Sequence, residues 1–195
     1  MRRVRYILWG AVLIAAVIFG GHQLSHMLET KSASGPTFQP VFTLTNHSGE
    51  PVSETTFRGD WALVFFGFTN CPDICPTTLA EFGNVMDRLG ADASKVKPLF
   101  ITIDPERDRV ADVAKYVSAF HPSIIGLTGS NKQIAYTASS FKAFFERVPQ
   151  ETAPDGYTMG HTSAVYLISP EGNFVRTYQF GTSPEMIVED LKTRI

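Results

Sequence analysis

The sequence has very few cysteines. The only two among its 195 residues are Cys71 and Cys75, in the segment NCPDICPT, with three residues between them. Structural zinc sites usually have four ligands and iron–sulfur clusters are held by several thiolates, so a single pair of cysteines fills neither site. Thioredoxin-like redox enzymes usually separate their two cysteines by two residues, and this pair is more widely spaced.

Basic runs, internal repeats and low-complexity blocks are also absent. Lys and Arg total 17 against 19 Asp and Glu, and three of the arginines lie at the N-terminus. The remainder is therefore acidic, which disfavours nucleic acid as a partner. After the N-terminal segment, the chain is long enough for one domain of ordinary size.

Charge is missing from residues 6–28, which contain no Asp, Glu, Lys or Arg and follow Arg2, Arg3 and Arg5. About 20 apolar residues span a bilayer, and arginines before a span predict a cytoplasmic N-terminus. A cleaved signal peptide is the alternative, because residues 32–34 are small enough for a cleavage site. No cysteine lies directly after the apolar segment, which excludes a lipoprotein anchor.

These features predict three parts: a single-pass membrane anchor at residues 1–28, a polar linker at 29–39 and a globular domain at 40–195. We expect the anchor in a bacterial inner membrane and the domain in the periplasm. Free cysteines tend to pair in such an oxidising compartment. Closing so short a loop gains little stability, so we expect the pair to serve chemistry rather than folding.

Strand-like and helix-like segments alternate along the globular part. Continuous apolar runs at residues 61–69 and 96–104 predict strands buried on both faces. Residues 124–127 predict a short strand, and residues 163–168 and 174–180 predict a hairpin around SPEGN. Four helices are predicted, at residues 76–89, 109–120, 131–142 and 184–195. This order predicts an α/β, thioredoxin-like fold, a mixed sheet with helices on both faces, preceded by one N-terminal transmembrane helix.

Cys75 directly precedes Pro76, which suits the first position of the predicted helix. Unsatisfied N–H groups and the helix dipole lower a thiol pKa there, so Cys75 is predicted to be the thiolate. Residues four apart share a helical face, and the sulfur of Cys71 is expected to converge on that of Cys75. The two thiols would form a disulfide or bind one soft metal. Cu(I) accepts low coordination, so two thiolates and one imidazole would suffice.

One of the five histidines suits the role of third ligand. His22 and His26 lie in or beside the apolar N-terminal segment, whereas His47 and His121 lie in turns and are expected at the surface. His161 lies at the entry to the late hairpin, which in a thioredoxin-like plan is next to the first strand-to-helix loop. The alternative is a histidine hydrogen-bonded to the backbone without any metal.

Two other features have both a functional and a structural interpretation. Residues 104–108, DPERD, follow a predicted strand and would hold charge near the site, or would form a turn in which Asp108 caps the next helix. Met159, two residues before His161, would be a weak fourth copper ligand or a packing residue. We leave both outside the predicted metal site.

Three stretches, FGFTNCPDICPTTL, ITIDPERD and GYTMGHTSAVYLISPEG, resemble the signature segments of the Sco/SenC family over residues 38–195. Members are membrane-anchored thioredoxin-like proteins that deliver copper to the dinuclear copper-A centre of cytochrome c oxidase. The resemblance implies Cys71, Cys75 and His161 as ligands of copper, as Cu(I) or Cu(II). It also implies the copper-A-bearing oxidase subunit as a partner, and other copper carriers or a thioredoxin-like reductant as further partners. Many members carry Asp just before the histidine, where this chain has Gly160.

Three functions are compatible with the sequence. The leading interpretation is a copper metallochaperone, a carrier that needs no turnover. The alternative is a thiol–disulfide reductase, with Cys71 and Cys75 as its redox-active pair, that keeps the copper-ligating cysteines of the oxidase reduced. A thiol peroxidase or redox sensor is a third class, in which peroxide attacks one cysteine and the other resolves it.

Overall fold

The computed structural model describes residues 38–195. The predicted membrane anchor and all but the last two residues of the predicted linker lie outside the described residues. Within residues 38–195, no helix has the length and apolar character needed to cross a membrane.

Within the described residues, nine strands form a central seven-stranded sheet and a separate hairpin. The strands are β1 (Thr43–Asn46), β2 (Pro51–Ser53), β3 (Trp61–Gly67), β4 (Val96–Thr102), β5 (Ile125–Thr128), β6 (Phe145–Pro149), β7 (Tyr157–His161), β8 (Val165–Ile168) and β9 (Phe174–Tyr178). The central sheet has the order β2-β1-β5-β4-β3-β8-β9, and β6 pairs with β7 alone. In the central sheet β3, β4 and β5 are parallel and the other neighbours are antiparallel.

Helices and short 3-10 turns connect the strands. The helices are α1 (Ile74–Leu89), α2 (Val110–Val117), α3 (Asn131–Ser140) and α4 (Pro184–Lys192), and the 3-10 turns are Glu54–Phe57, Gly90–Lys95 and Pro154–Gly156. The predicted mixed α/β plan, with a sheet flanked by helices, is confirmed for the described residues. The late hairpin is confirmed as well, because β8 pairs antiparallel with β9.

Burial explains why the apolar runs form the centre of the sheet. Six of the seven residues of β3 are buried, as are six of the seven of β4. Strands covered on both faces read as continuous apolar segments rather than alternating ones. On β5, a Cβ added to Gly126 would lie 2.3 Å from Val113 Cγ1, so α2 packs directly on the strand backbone.

Several predicted boundaries differ from those observed. Helix α1 begins two residues earlier than predicted, at Ile74, with Asp73 as its N-cap. Helix α2 is shorter than predicted, and Asp108 does not cap it. Instead, the Asp112 carboxylate accepts a hydrogen bond of 3.1 Å from the backbone N–H of Arg109. The carboxylate of Asp108 is turned inward, where it accepts hydrogen bonds from Thr69 and Thr102.

The β6–β7 hairpin was not predicted. His161 is the last residue of β7, and it pairs with Phe145 at the open end of this hairpin. The histidine therefore belongs to a separate two-stranded sheet rather than to the entry of the late hairpin. This hairpin carries both Met159 and His161 to the side of the central sheet where the cysteines lie.

Candidate metal centre

The cysteines lie at the junction of β3 and α1. Cys71 is half-buried on the connecting loop, and Cys75 is the second residue of α1 and is fully buried. The backbone N–H of Cys75 donates a hydrogen bond of 3.3 Å to Cys71 Sγ. The sulfur that faces the free N–H groups of the helix is therefore that of Cys71, because the helix begins before Cys75 and directs its side chain inward.

A glycine makes room for the buried sulfur. A Cβ added to Gly67, the last residue of β3, would lie 2.8 Å from Cys75 Sγ and 2.8 Å from Phe100 Cε2. Real Cβ atoms almost never approach other atoms so closely. The absence of a side chain at Gly67 therefore allows Cys75 to pack against the strand.

We expect Gly67→Ala to destabilise the domain by about 1–3 kcal/mol, because overpacking forces buried groups to move. Urea unfolding measures this change. Gly160→Ala is the matched control, since a Cβ there would make only ordinary contacts of 3.5 Å or more. Its free energy of unfolding should change by less than about 0.5 kcal/mol. Equal stability of the two variants would contradict the close approach at Gly67.

His161 is held in one tautomer. Its Nδ1 lies 3.0 Å from the carbonyl oxygen of Thr162, which only accepts hydrogen bonds, so Nδ1 carries the proton. Nε2 therefore has a free lone pair, and it lies 3.9 Å from Cys75 Sγ. The rings of Phe65 and Phe68 meet the imidazole edge to face, with centroids 5.8 and 6.0 Å away, which fixes its orientation.

The three side chains predicted as ligands lie together. The sulfurs of Cys71 and Cys75 and a ring nitrogen of His161 all lie within 4.8 Å of one another. Among residues 38–195, no other group of three His, Cys, Asp or Glu side chains converges in this way. Two thiols and one imidazole suit a soft metal ion that accepts three ligands, which is the chemistry of Cu(I) rather than of Mg²⁺ or Ca²⁺.

The two thiols have opposite pKa shifts. The hydrogen bond with the Cys75 thiol, aided by the backbone N–H groups of Cys75 and Asp73, lowers the pKa of Cys71 to about 4 despite partial burial. The same hydrogen bond raises the pKa of Cys75, and burial and the charge of Cys71 raise it further. The prediction that Cys75 is the thiolate is therefore wrong. The free N–H groups stabilise Cys71, and burial keeps the Cys75 proton in place.

We expect iodoacetamide to alkylate reduced Cys71 at a nearly constant rate from pH 8 down to about pH 5, because the thiolate is lost only near its pKa of about 4. Mass spectrometry of the labelled peptide measures the rate. The protein unfolded in urea is the control. There Cys71 is an ordinary thiol with a pKa of ~8.5, and its rate of alkylation falls about tenfold per unit of pH below that value. A similar decline in the folded protein would contradict the assignment of the thiolate to Cys71.

The site is open on one side. A groove of about 400 Å³ is lined by residues of the cysteine loop and of β7, including Cys71, Asp73, Met159 and His161. Met159 is half-buried, packs against the core and lines this groove. Cys71 and His161 are therefore accessible to another molecule, whereas the sulfur of Cys75 lies behind them.

The other described histidines have structural contacts away from the site. His47 Nδ1 accepts a hydrogen bond of 3.0 Å from the backbone N–H of Gly126. His121 Nδ1 lies 2.7 Å from the hydroxyl of Ser123, and its Nε2 lies 3.5 Å from Asp87. His22 and His26 lie outside the described residues.

Sequence comparisons connect the chain with one family. The SCO1/SenC family model matches residues 30–195. The protein SCO2 homolog, mitochondrial, of Mus musculus is 43% identical over 159 residues, which cover 80% of this chain. The match covers 62% of the mouse protein, so the chain spans less than two thirds of that relative's length.

Solved structures show the same fold. Bradyrhizobium japonicum ScoI with copper bound has a TM-score of 0.75 and 38% identity, covering 81% of this chain and 99% of that one. BsSco, a member of the Sco family of cytochrome c oxidase assembly proteins in which a disulfide switch was identified, has a TM-score of 0.65 and 28% identity. That match covers 81% of this chain and 94% of BsSco. The predicted thioredoxin-like α/β fold is thus confirmed for the described residues.

Proposed function

The chain belongs to the SCO1/SenC family, and on this premise we propose that it carries copper to the copper-A centre of cytochrome c oxidase. The observation that supports this most directly is the convergence of two thiols and one imidazole within 4.8 Å. The copper in the structure of Bradyrhizobium japonicum ScoI and the description of BsSco as an oxidase assembly protein support it further. Cys71, Cys75 and His161 are the proposed ligands.

Each ligand would contribute in a different way. Cys71 is already a thiolate at neutral pH, because its pKa is lowered to about 4. The raised pKa of Cys75 means that its proton must leave when the metal binds, so copper uptake releases a proton. His161 offers the unprotonated Nε2, since its Nδ1 is engaged with the Thr162 carbonyl. Two thiolates and one imidazole suit Cu(I) best, and Cu(II) is the second proposed oxidation state of the bound copper.

The thiol asymmetry favours a reductase as the second candidate function. The accessible Cys71 thiolate would attack a disulfide of the target and form a mixed disulfide, releasing one target thiolate. Cys75 would then lose its proton and attack Cys71 Sγ, which releases the second target thiolate and leaves a Cys71–Cys75 disulfide. The pair is oxidised by two electrons and the target is reduced by two. A thioredoxin-like reductant would have to restore the pair.

We further propose that residues 1–28 anchor the protein in a bacterial inner membrane and that the domain faces the periplasm. This places it beside the copper-A-bearing subunit of the oxidase, its proposed partner, and in reach of other copper carriers. The support is the charge-free segment after Arg2, Arg3 and Arg5. A periplasm-dependent reporter fused to the C-terminus should be active, and activity restricted to a cytoplasmic reporter would contradict this orientation.

Copper titration of the reduced full-length protein tests the proposal. We expect one Cu(I) per chain in competition with a chromophoric Cu(I) chelator. X-ray absorption of the loaded protein should show two sulfurs and one nitrogen around copper. Absence of binding would contradict the copper-carrier proposal. A copper site with sulfur ligands alone would exclude His161 from it.

A further inference from the structure

Residues 104–108, here called the acidic turn, follow β4 and lie between the two parts of the candidate site. Asp104 and Asp108 are 3% and 1% exposed, although carboxylates are rarely buried without partners. Each of the two contacts a different element that carries a proposed ligand. The cysteine loop is on one side of the turn, and β7 is on the other.

Asp108 holds the cysteine loop. Its carboxylate accepts a hydrogen bond of 2.9 Å from the backbone N–H of Thr69 and one of 2.5 Å from the Thr69 hydroxyl. Thr69 precedes Cys71 by two residues. The hydroxyl of Thr102, in β4, donates a third hydrogen bond of 2.6 Å, which ties the carboxylate to the central sheet. The first residues of the cysteine loop are thereby attached to the rigid centre of the fold.

Asp104 holds the histidine strand. The hydroxyl of Tyr157, the first residue of β7, lies 3.1 and 3.2 Å from the two carboxylate oxygens of Asp104. The same carboxylate forms an ion pair with Arg107. The guanidinium of Arg107 also lies 3.8 Å from the centre of the Tyr157 ring, and its Nη1 donates a hydrogen bond of 3.3 Å to the Tyr157 carbonyl.

A second arginine completes the contact with the hairpin. The guanidinium of Arg147, in β6, also lies 3.8 Å from the centre of the Tyr157 ring, and it forms an ion pair of 2.5 Å with Glu106 of the acidic turn. Three residues of the turn, Asp104, Glu106 and Arg107, therefore contact one end of the β6–β7 hairpin. His161 is at the other end of β7, four residues along the same strand.

We propose that the acidic turn is the device that positions the two parts of the metal site relative to each other, with Asp108 acting through Cys71 and Asp104 acting through His161. The proposal rests on the proposed copper site and names further positioning residues for it. The turn joins the cysteine loop and the histidine strand, which are far apart in the chain, by direct contacts on each side. A mutation on one side of the turn should therefore perturb only the segment on that side.

Hydrogen exchange of the full-length protein, without copper, tests the separation. Asp108→Asn and Thr69→Val should raise exchange of amides in residues 68–71 about tenfold and leave β7 unchanged. Thr69 is only half-buried, so its variant tests the same contact with little risk to folding. Tyr157→Phe should raise exchange in β7 and leave the cysteine loop unchanged. A uniform increase across the domain, or no local increase, would overturn the proposal.

Cu(I) affinity in two backgrounds provides the second test. Tyr157→Phe should lower the affinity about tenfold in the wild-type protein and have no further effect when His161 is replaced by Ala. Asp108→Asn should lower it about tenfold in both backgrounds. Equal losses from Tyr157→Phe in the two backgrounds would show that Asp104 does not act through His161, and would overturn the proposal.

Tyr178→Phe is the matched control. It removes another buried tyrosine hydroxyl, which donates a hydrogen bond of 2.6 Å to Asp190 away from the site. It should change neither the exchange of the two site segments nor the Cu(I) affinity. If the wild-type protein binds no Cu(I), the proposed function fails, whereas the exchange pattern still decides whether the turn positions the two segments.

Discussion

Oxidation of Cys71 and Cys75 is expected to abolish Cu(I) binding, and reduction is expected to restore it. A disulfide uses both sulfurs, and Cu(I) requires both as thiolates. The two sulfurs already lie within 4.8 Å, on residues one helical turn apart, so forming the bond requires only a small movement. Counting free thiols and titrating copper on the same sample, before and after treatment with diamide and then a reductant, measures the effect.

A variant that contains neither thiol is the control for this experiment. Cys71→Ser combined with Cys75→Ser should bind no Cu(I) in this site, with or without diamide. Any copper that this variant retains measures binding elsewhere and is subtracted. Equal copper uptake by oxidised and reduced wild-type protein would show that the thiols are not the ligands.

His161→Ala is expected to lower Cu(I) affinity by at least ~100-fold and to leave thiol–disulfide exchange intact. Loss of an outer hydrogen-bonding partner alone costs about 10–100-fold in metal affinity, and loss of a direct ligand should cost more. The disulfide chemistry depends mainly on the two sulfurs and on the helix N-terminus, which the substitution leaves in place. Competitive copper titration and an exchange assay with glutathione, on the same preparation, measure the two effects.

His121→Ala is the matched control, because His121 contacts Ser123 and Asp87 away from the site. It should leave the Cu(I) affinity unchanged. In cells, His161→Ala should impair oxidase assembly when copper is scarce, and high external copper should partly restore it. Wild-type copper affinity in the His161→Ala protein would contradict the three-ligand site and would move the reductase ahead as the proposed function.

The central elements were predictable because their signal is local and strong. The apolar runs of β3 and β4 are buried on both faces, and helix α1 shows an apolar stripe that includes Leu79, Phe82 and Val85. The β6–β7 hairpin was missed because four of the five residues of β6 are exposed, so the strand has no clear apolar pattern. The hairpin packs on the core through only a few side chains, among them Phe145, Met159 and His161.

The inward direction of Asp108 was not predictable for a related reason. An acidic residue just before a helix usually caps it, and the sequence therefore predicts a cap at Asp108. In the structure, its partners are Thr69 and Thr102, 39 and 6 residues away in the chain. Because the hydrogen bonds from Thr69 depend on how β3 and β4 pair, a local pattern cannot reveal them.

The sequence by itself determined that the domain is a mixed α/β sheet and that its two thiols are the reactive groups. Two cysteines four positions apart at a helix start converge through local backbone geometry alone. Only the tertiary structure decided which thiol is the thiolate, because that depends on where α1 begins and on the burial of Cys75 against Gly67. It alone decided the place of His161, 86 residues from Cys75, because the β6–β7 hairpin and its contacts with residues 104–107 bring that imidazole to the sulfurs.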